Sequence, residues 1–230
     1  MAKNVREKAK IINRKALFNS FKEAKEVQWP EIIEKHNNIM PDQLKEKLFL
    51  SAKNEVTKLK ILCLIKKDVT KMKLYEEFKK MLKVDSDRAT FCKSLKSDDA
   101  KEKVLAEIHA SSYRAEAIST FKNDKLKKAY IDSLEEELDK ATVVASYKSF
   151  KAKQSSLESF SLPYARIKII ASSEKLKEIH AEELNKYIYE NRTSKKFLAS
   201  LKLNIPSSPS PKIDTSSKAT FPSIQEKFDD

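Results

Sequence analysis

Not one glycine occurs among the 230 residues of this chain, where a soluble protein averages about 7%. Glycine enters positive φ without steric penalty and is the default residue of tight hairpin turns and left-handed helix stops. A chain without it is handicapped in building sheets. Helices can still be joined, through Asn37-Asn38, Asp85-Ser86 or Ser97-Asp98, because such short polar side chains make turns by hydrogen-bonding nearby backbone. The same absence removes the phosphate-cradling loop GxxxxGKS/T, the dinucleotide fingerprint GxGxxG, the nucleophile elbow GxSxG and the usual calcium loop.

Apolar residues recur at helical spacing almost throughout. Val5, Ala9, Ile12 and Ala16, continued by Phe18 and Phe21, predict one helix over 3–26. Pro30 opens a second over 30–37, with Trp29 placed to pack back on Ile33 as a staple. From Pro41, the series Leu44, Leu48, Ala52, Val56, Leu59 and Leu62 predicts a long helix ending in the apolar LKILCLI. Asp68 reads as the cap of the next helix, Asp87 as the start of another, and Asp99 with Glu102 has the form of a capping box. A short piece around Tyr113–Phe121 follows. Asp124 then precedes the clearest stripe, Leu126, Tyr130, Leu134, Leu138, Ala141 and Ala145, which predicts one helix to about Ala152. QSSLESFSLP, 154–163, reads as a linker laid over the body, and ARIKIIA fits helix or strand. Ser173 caps a helix through Leu184 and Ile188, and a last helix carries Phe197, Leu198 and Leu201.

The fold class expected is all-α: an irregular multi-helix bundle of about eight helices over residues 1–203, followed by a disordered Ser/Pro/Thr-rich tail over 204–230. Hydrophobic residues at 40% beside 35% charged support a folded body. Segments centred on phenylalanine, FNSFKEAK, FKKMLKV, FCKSLKS and FLASLKL, fall at irregular intervals, which argues against a solenoid of about 30–45 residues per unit.

In the tail, the large apolar residues are too few to offset a backbone ordering cost of about 1–2 kcal/mol per residue. Its segment FPSIQEKF spaces Phe221, Ile224 and Phe228 for docking as a helical turn into a groove. Ser208-Pro209 and Ser210-Pro211 are proline-directed phosphorylation contexts. A polar carboxyl end on a lysine-rich body is similar in composition to type IV secretion effectors of intracellular bacteria. That resemblance implies a secreted effector with a C-terminal address. No apolar stretch of signal-peptide or membrane-spanning length is present, so the expected location in the producing cell is cytoplasmic, and Cys63 and Cys92 are expected as buried thiols.

The net charge of +13 invites a polyanion reading, with KNDKLKKAY and its Lys122, Lys125, Lys127 and Lys128 the best basic stretch. Only six of the 47 basic residues are arginine, the residue that forks onto phosphates and guanine edges. His36, His109 and His180 lack any recognised ligand spacing, and Glu135, Glu136, Glu137 and Asp139 read as the hydrated face of a helix. The sequence thus predicts a noncatalytic helical protein-interaction or adaptor module, without a cofactor, whose partner is a protein. The alternative is a nucleic-acid-binding protein making nonspecific phosphate contacts, and a third reading is an enzyme of unrecognised type.

Overall fold

The computed structural model of the chain describes residue 17, residues 19–194 and residue 199. Every regular element among them is helical. A 3-10 turn at Glu26–Gln28 leads into α1 (Trp29–Lys35), α2 (Asp42–Ser51), α3 (Glu55–Leu64), α4 (Asp68–Phe78) and α5 (Asp85–Ser94). There follow α6 (Asp98–Leu105), α7 (Ser111–Ser119), α8 (Asp124–Ile131), α9 (Glu137–Ala145) and α10 (Phe150–Leu157), then α11 (Pro163–Ala171), α12 (Glu174–Ile179) and α13 (Ala181–Glu190). The expected bundle of about eight helices is therefore corrected to thirteen shorter α-helices between Trp29 and Glu190, with residues 19–23 helical as well, all of the helical class anticipated. The boundary at residue 203 and the tail lie outside the described residues.

The arrangement is one-dimensional. Each helix packs chiefly on neighbours one and two places away. The odd-numbered helices form a stacked row, α1 on α3, α3 on α5, and so on to α13, while the even-numbered helices form a flanking row held against it. The stacked helices begin at Trp29, Glu55, Asp85, Ser111, Glu137 and Pro163, and the flanking ones at Asp42, Asp68, Asp98, Asp124 and Phe150. Over these helices both series step by 26 residues, except for one step of 30 where α4 and its link to α5 hold four extra residues, while α12 and α13 depart from the period by starting at Glu174 and Ala181. This is a solenoid of helical hairpins. The phenylalanines conceal it because they occupy different places in the unit: Phe78 ends a flanking helix, whereas Phe91 lies in the middle of a stacked one.

Counting from each helix's first residue, positions five, seven and eight of the stacked row fill one continuous core. These are Leu59, Ile61 and Leu62 in α3, Ala89, Phe91 and Cys92 in α5, Ala115, Ala117 and Ile118 in α7, and Ala141, Val143 and Val144 in α9. Ile65, Leu95, Phe121 and Tyr147 close each unit from the turn beyond. Each large side chain so buried contributes about 1.5–3 kcal/mol.

Three long helices expected from the apolar stripes are each broken. Ala52 lies on the stripe and is buried, yet its backbone is extended, and Asn54 starts α3 by accepting from the Thr57 amide at 2.9 Å. Residues 132–136 and 146–149 divide the predicted helix from Leu126 to Ala152, and His180 divides that from Ser173 to Ile188. The chain re-enters the core beyond such breaks through Leu59 and Leu62 or Ala141, while Val56 and Ala145 of the predicted stripes lie outside it. The proposed linker 154–163 is partly helical, ending α10, with Phe160 buried beneath it, and ARIKIIA forms most of α11. Trp29 meets Phe21 edge to face at 6.4 Å.

The turns show how a chain without glycine can change direction so often. All residues flanking these helices have negative φ, from −57° to −151°. None of these cap positions is left-handed, and side chains from the neighbouring unit satisfy many of the helix ends. Asp42 accepts from the amides of Lys66 and Lys67, both at 3.0 Å, just before α4. Asp68 does the same for Lys96 and Ser97, Asp98 for Lys122 and Asn123, and Asp124 for Lys148 and Ser149. Three residues after each aspartate stands a buried lysine whose ammonium donates to the last carbonyls of the following stacked helix. Lys45 reaches Leu64 O at 2.8 Å, Lys71 Ser94 O at 2.6 Å, Lys101 Thr120 O and Lys127 Ser146 O at 2.6 Å. Lys153, after Phe150, keeps the pattern with Ser172 O at 3.0 Å.

The sequence-based capping assignments are corrected accordingly. Asp68 and Asp124 are first helical residues whose carboxylates serve the next unit, and Asn123 caps α8. Asp99 is exposed, while Ser97 occupies the cap position of α6 without a side-chain bond.

Two predictions follow from the repeat. Deleting residues 111–136 removes one whole unit in register, so the shortened chain keeps its far-ultraviolet ellipticity per residue and a cooperative thermal transition; deleting 111–123 brings two flanking helices together and abolishes that transition. Replacing Asp98 by alanine strips two exposed amides of their acceptor and lowers unfolding stability by about 0.5–2 kcal/mol, whereas Asp99→Ala stays within about 0.5 kcal/mol, both read from urea titrations.

Candidate interaction surface

Burying positions five, seven and eight leaves positions two, six and nine of each stacked helix on one face, since residues three and four apart share a side. Position six carries Lys60, Thr90, Glu116, Thr142 and Lys168, and position nine carries Cys63, Lys93, Ser119, Ala145 and Ala171, all exposed or half-buried. Side chains join across neighbouring helices. Lys93 pairs with Glu116 at 2.7 Å, from α5 to α7, and Lys168 donates to Thr142 Oγ1 at 2.6 Å, from α11 to α9. These pairs bridge α5 to α7 and α9 to α11, and α7 packs on α9 between them, so the face runs over all four helices with small side chains set among charged ones.

Lys168 has a distinctive environment on this face. Burial pushes its ammonium pKa below the ordinary lysine value, against the opposing pull of Asp139 and Glu116. At the end of the stack, Arg166 forks onto Glu183 at 2.7 and 3.0 Å and ties α11 to α13, which holds the Glu183 carboxyl below its usual range.

The residues singled out from sequence fall as follows. Lys122, Lys125 and Lys128 are exposed, but Lys127 is buried and committed to the Ser146 carbonyl, so the basic stretch does not act as a group of four. Tyr130 donates to Glu102 at 2.7 Å. Glu135 and Glu136 lie in the turn before α9, and Glu137 accepts from the Leu162 amide and the Ser161 hydroxyl, so the acidic cluster is not one helix face. His36, His109 and His180 belong to turns of different hairpins. Cys92 is buried, its thiol pushed up to about 12 by burial, while Cys63 is half-buried on the stacked face; both are free thiols. Phe221, Ile224 and Phe228 lie outside the described residues. Among the described residues no group of three or more His, Cys, Asp or Glu is arranged to hold a metal, and no helix is long and apolar enough to cross a membrane.

Sequence reasoning passed over the stacked face because its residues are chemically mixed. The signal that would have located it is the recurrence of Asp-x-x-Lys at Asp42, Asp68, Asp98 and Asp124, which marks the start of four successive flanking helices. No protein-family model, curated protein or solved structure matches the chain.

A lowered amine pKa makes the neutral, nucleophilic form available at lower pH. The acylation rate of Lys168 by an amine-reactive ester, followed by peptide mass spectrometry, is thus expected to inflect at lower pH in the folded chain than in urea. Coincident inflections would remove burial as a factor.

Proposed function

We propose that the chain is a noncatalytic helical interaction module, an adaptor that holds a protein segment along the stacked-row face. The observation that carries this reading is the continuity of that face: Lys93–Glu116 and Lys168–Thr142 join side chains on separate hairpins into one surface. In a solenoid each added hairpin extends such a surface without altering its cross-section, which suits recognition of an extended partner. Thr90, Ser119, Thr142, Ala145 and Ala171 are short enough for a partner's backbone to approach closely, and the lysines and Glu116 around them give orientation through charge.

The carboxyl-terminal residues enter as a second element of the same reading, with Phe221, Ile224 and Phe228 as the docking or address segment suggested by their spacing. Affinity capture separates the two contributions. The full chain is compared with an Ala145→Arg/Ala171→Arg variant, whose long cationic side chains obstruct the face, and with a chain lacking residues 204–230. Loss of the captured proteins by the face variant, at unchanged thermal stability, is the expected outcome. Retention by that variant together with loss on truncation would transfer the role to the terminal segment, and retention by both would overturn the proposal.

A further inference from the structure

Between α2 and α11, five links run from flanking to stacked helices along one edge of the solenoid, at 52–54, 79–84, 106–110, 132–136 and 158–162. Each buries one apolar residue at the same place in the unit, Ala52, Leu82, Ile108, Leu134 or Phe160, so the links lie in register. Their exposed residues change sign along the edge. The first two links present Lys53, Lys80 and Lys83, with Met81 and Val84 beside them. The last two present Asp132, Glu135, Glu136 and Glu158 and contain no lysine or arginine. Between these pairs, the middle link presents Ala106, His109 and Ala110. Other charges of the links are engaged within the fold: Lys79 pairs with Glu76 at 2.8 Å and with Glu107 at 3.0 Å, and Tyr75 donates to Glu107 as well. By contrast, Lys53, Lys80, Lys83, Asp132, Glu135, Glu136 and Glu158 form no ion pair among the described residues. Glu55, the first residue of α3, is an exposed acid next to the basic end.

We infer that this edge is the interface of an antiparallel dimer, in which the basic links of one copy meet the acidic links of a second copy across a two-fold axis at the middle link. Two-fold pairing lays one patch on itself in reverse, so that residue i meets j and j meets i. The link at 79–84 then faces 132–136 twice over, and 52–54 faces 158–162. Stacked helices repeat about every 8–10 Å, so 79–84 and 132–136 stand one step to either side of the axis, where curvature of the stack has little room to part them. The axis itself falls on Ala106 and Ala110, whose short side chains let two copies approach. A second copy supplies both the acids that Lys80 and Lys83 lack and the bases that Glu135 and Glu136 lack. Parallel alignment would set lysine against lysine and carboxylate against carboxylate, which the same pattern disfavours. At the outer contact, Leu162 of one copy faces the link that Leu50 and Val56 flank in the other. All three are half or more exposed, and covering them adds apolar burial to the charge pairing. Positions six and nine of the stacked row lie outside this contact.

Sedimentation equilibrium of the full chain tests this. The parent chain is expected to approach twice its 26.5 kDa at low salt and to dissociate as ionic strength rises. Lys80→Glu/Lys83→Glu and, separately, Glu135→Lys/Glu136→Lys are each expected to weaken self-association at least about tenfold, since every substitution enters a two-fold contact twice. Mixing those two variants restores a dimer, and so does combining all four substitutions in one chain. Lys125→Glu/Lys151→Glu, at the other edge, changes net charge as much as the first variant and is expected to stay within about twofold of the parent. Circular dichroism confirms that all variants fold. A parent chain that remains at 26.5 kDa at every concentration, equal weakening by the control, no recovery in the mixture or the combined chain, or masses that climb past the dimer through head-to-tail pairing would each overturn the inference. None of these outcomes bears on capture of a protein by the stacked face.

Discussion

An α-helix of eight residues leaves four amides and four carbonyls without an intrahelical partner, as many backbone groups as remain to be bonded inside it. A chain that divides itself into helices this short must satisfy those ends or forfeit the stability gained from its core, since a buried unpaired polar group costs about 1–3 kcal/mol. Here the debt at one edge is met across units. An aspartate at the start of a flanking helix takes the amides that precede the next flanking helix, and a lysine three residues later takes the carbonyls that end the intervening stacked helix. The turn between units is thereby held by two side chains from the unit before it. Glu26, Asp85 and Glu137 perform the amide-binding part on the opposite edge, and Arg114 and Arg166 reach back to the ends of α6 and α10.

This linkage explains both the missing glycine and the open shape. Glycine helix stops satisfy carbonyls locally by turning the backbone left-handed; here side chains supplied by a neighbour bind carbonyls at the helix ends instead. Because each unit is completed by the next, the natural way to extend the structure is another unit in line. A linear stack leaves a stacked-row face and two edges exposed along its length, and the charge on each edge is set by whichever residues occupy the turns.

The helical class and the burial of most apolar positions were legible from spacing alone: Leu59, Leu62, Leu74, Phe78, Phe91, Val104 and Ile108 all sit in the core. Helix boundaries were less so. The stripe through Leu44, Leu48, Ala52 and Val56 is unbroken in sequence, and no local rule marks Ala52 as extended; its conformation depends on Glu26 gripping the Lys53 and Asn54 amides from 27 and 28 residues away. Asp99 with Glu102 satisfies the local pattern of a capping box, yet Asp98 holds the structural role, toward residues 122 and 123. Lys127 was grouped with surface lysines because composition does not distinguish a solvated ammonium from one directed at a buried carbonyl.

By itself the sequence determined that the body is helical, since a glycine-free, strongly periodic chain has few other ways to bury its apolar stripe. It also contained the 26-residue unit, written in Asp-x-x-Lys. Only the tertiary structure decided where each helix ends, which charges are interior and which residues share a face. These depend on hydrogen bonds between groups about 19 to 29 residues apart, a separation beyond the reach of helical periodicity and local capping preference.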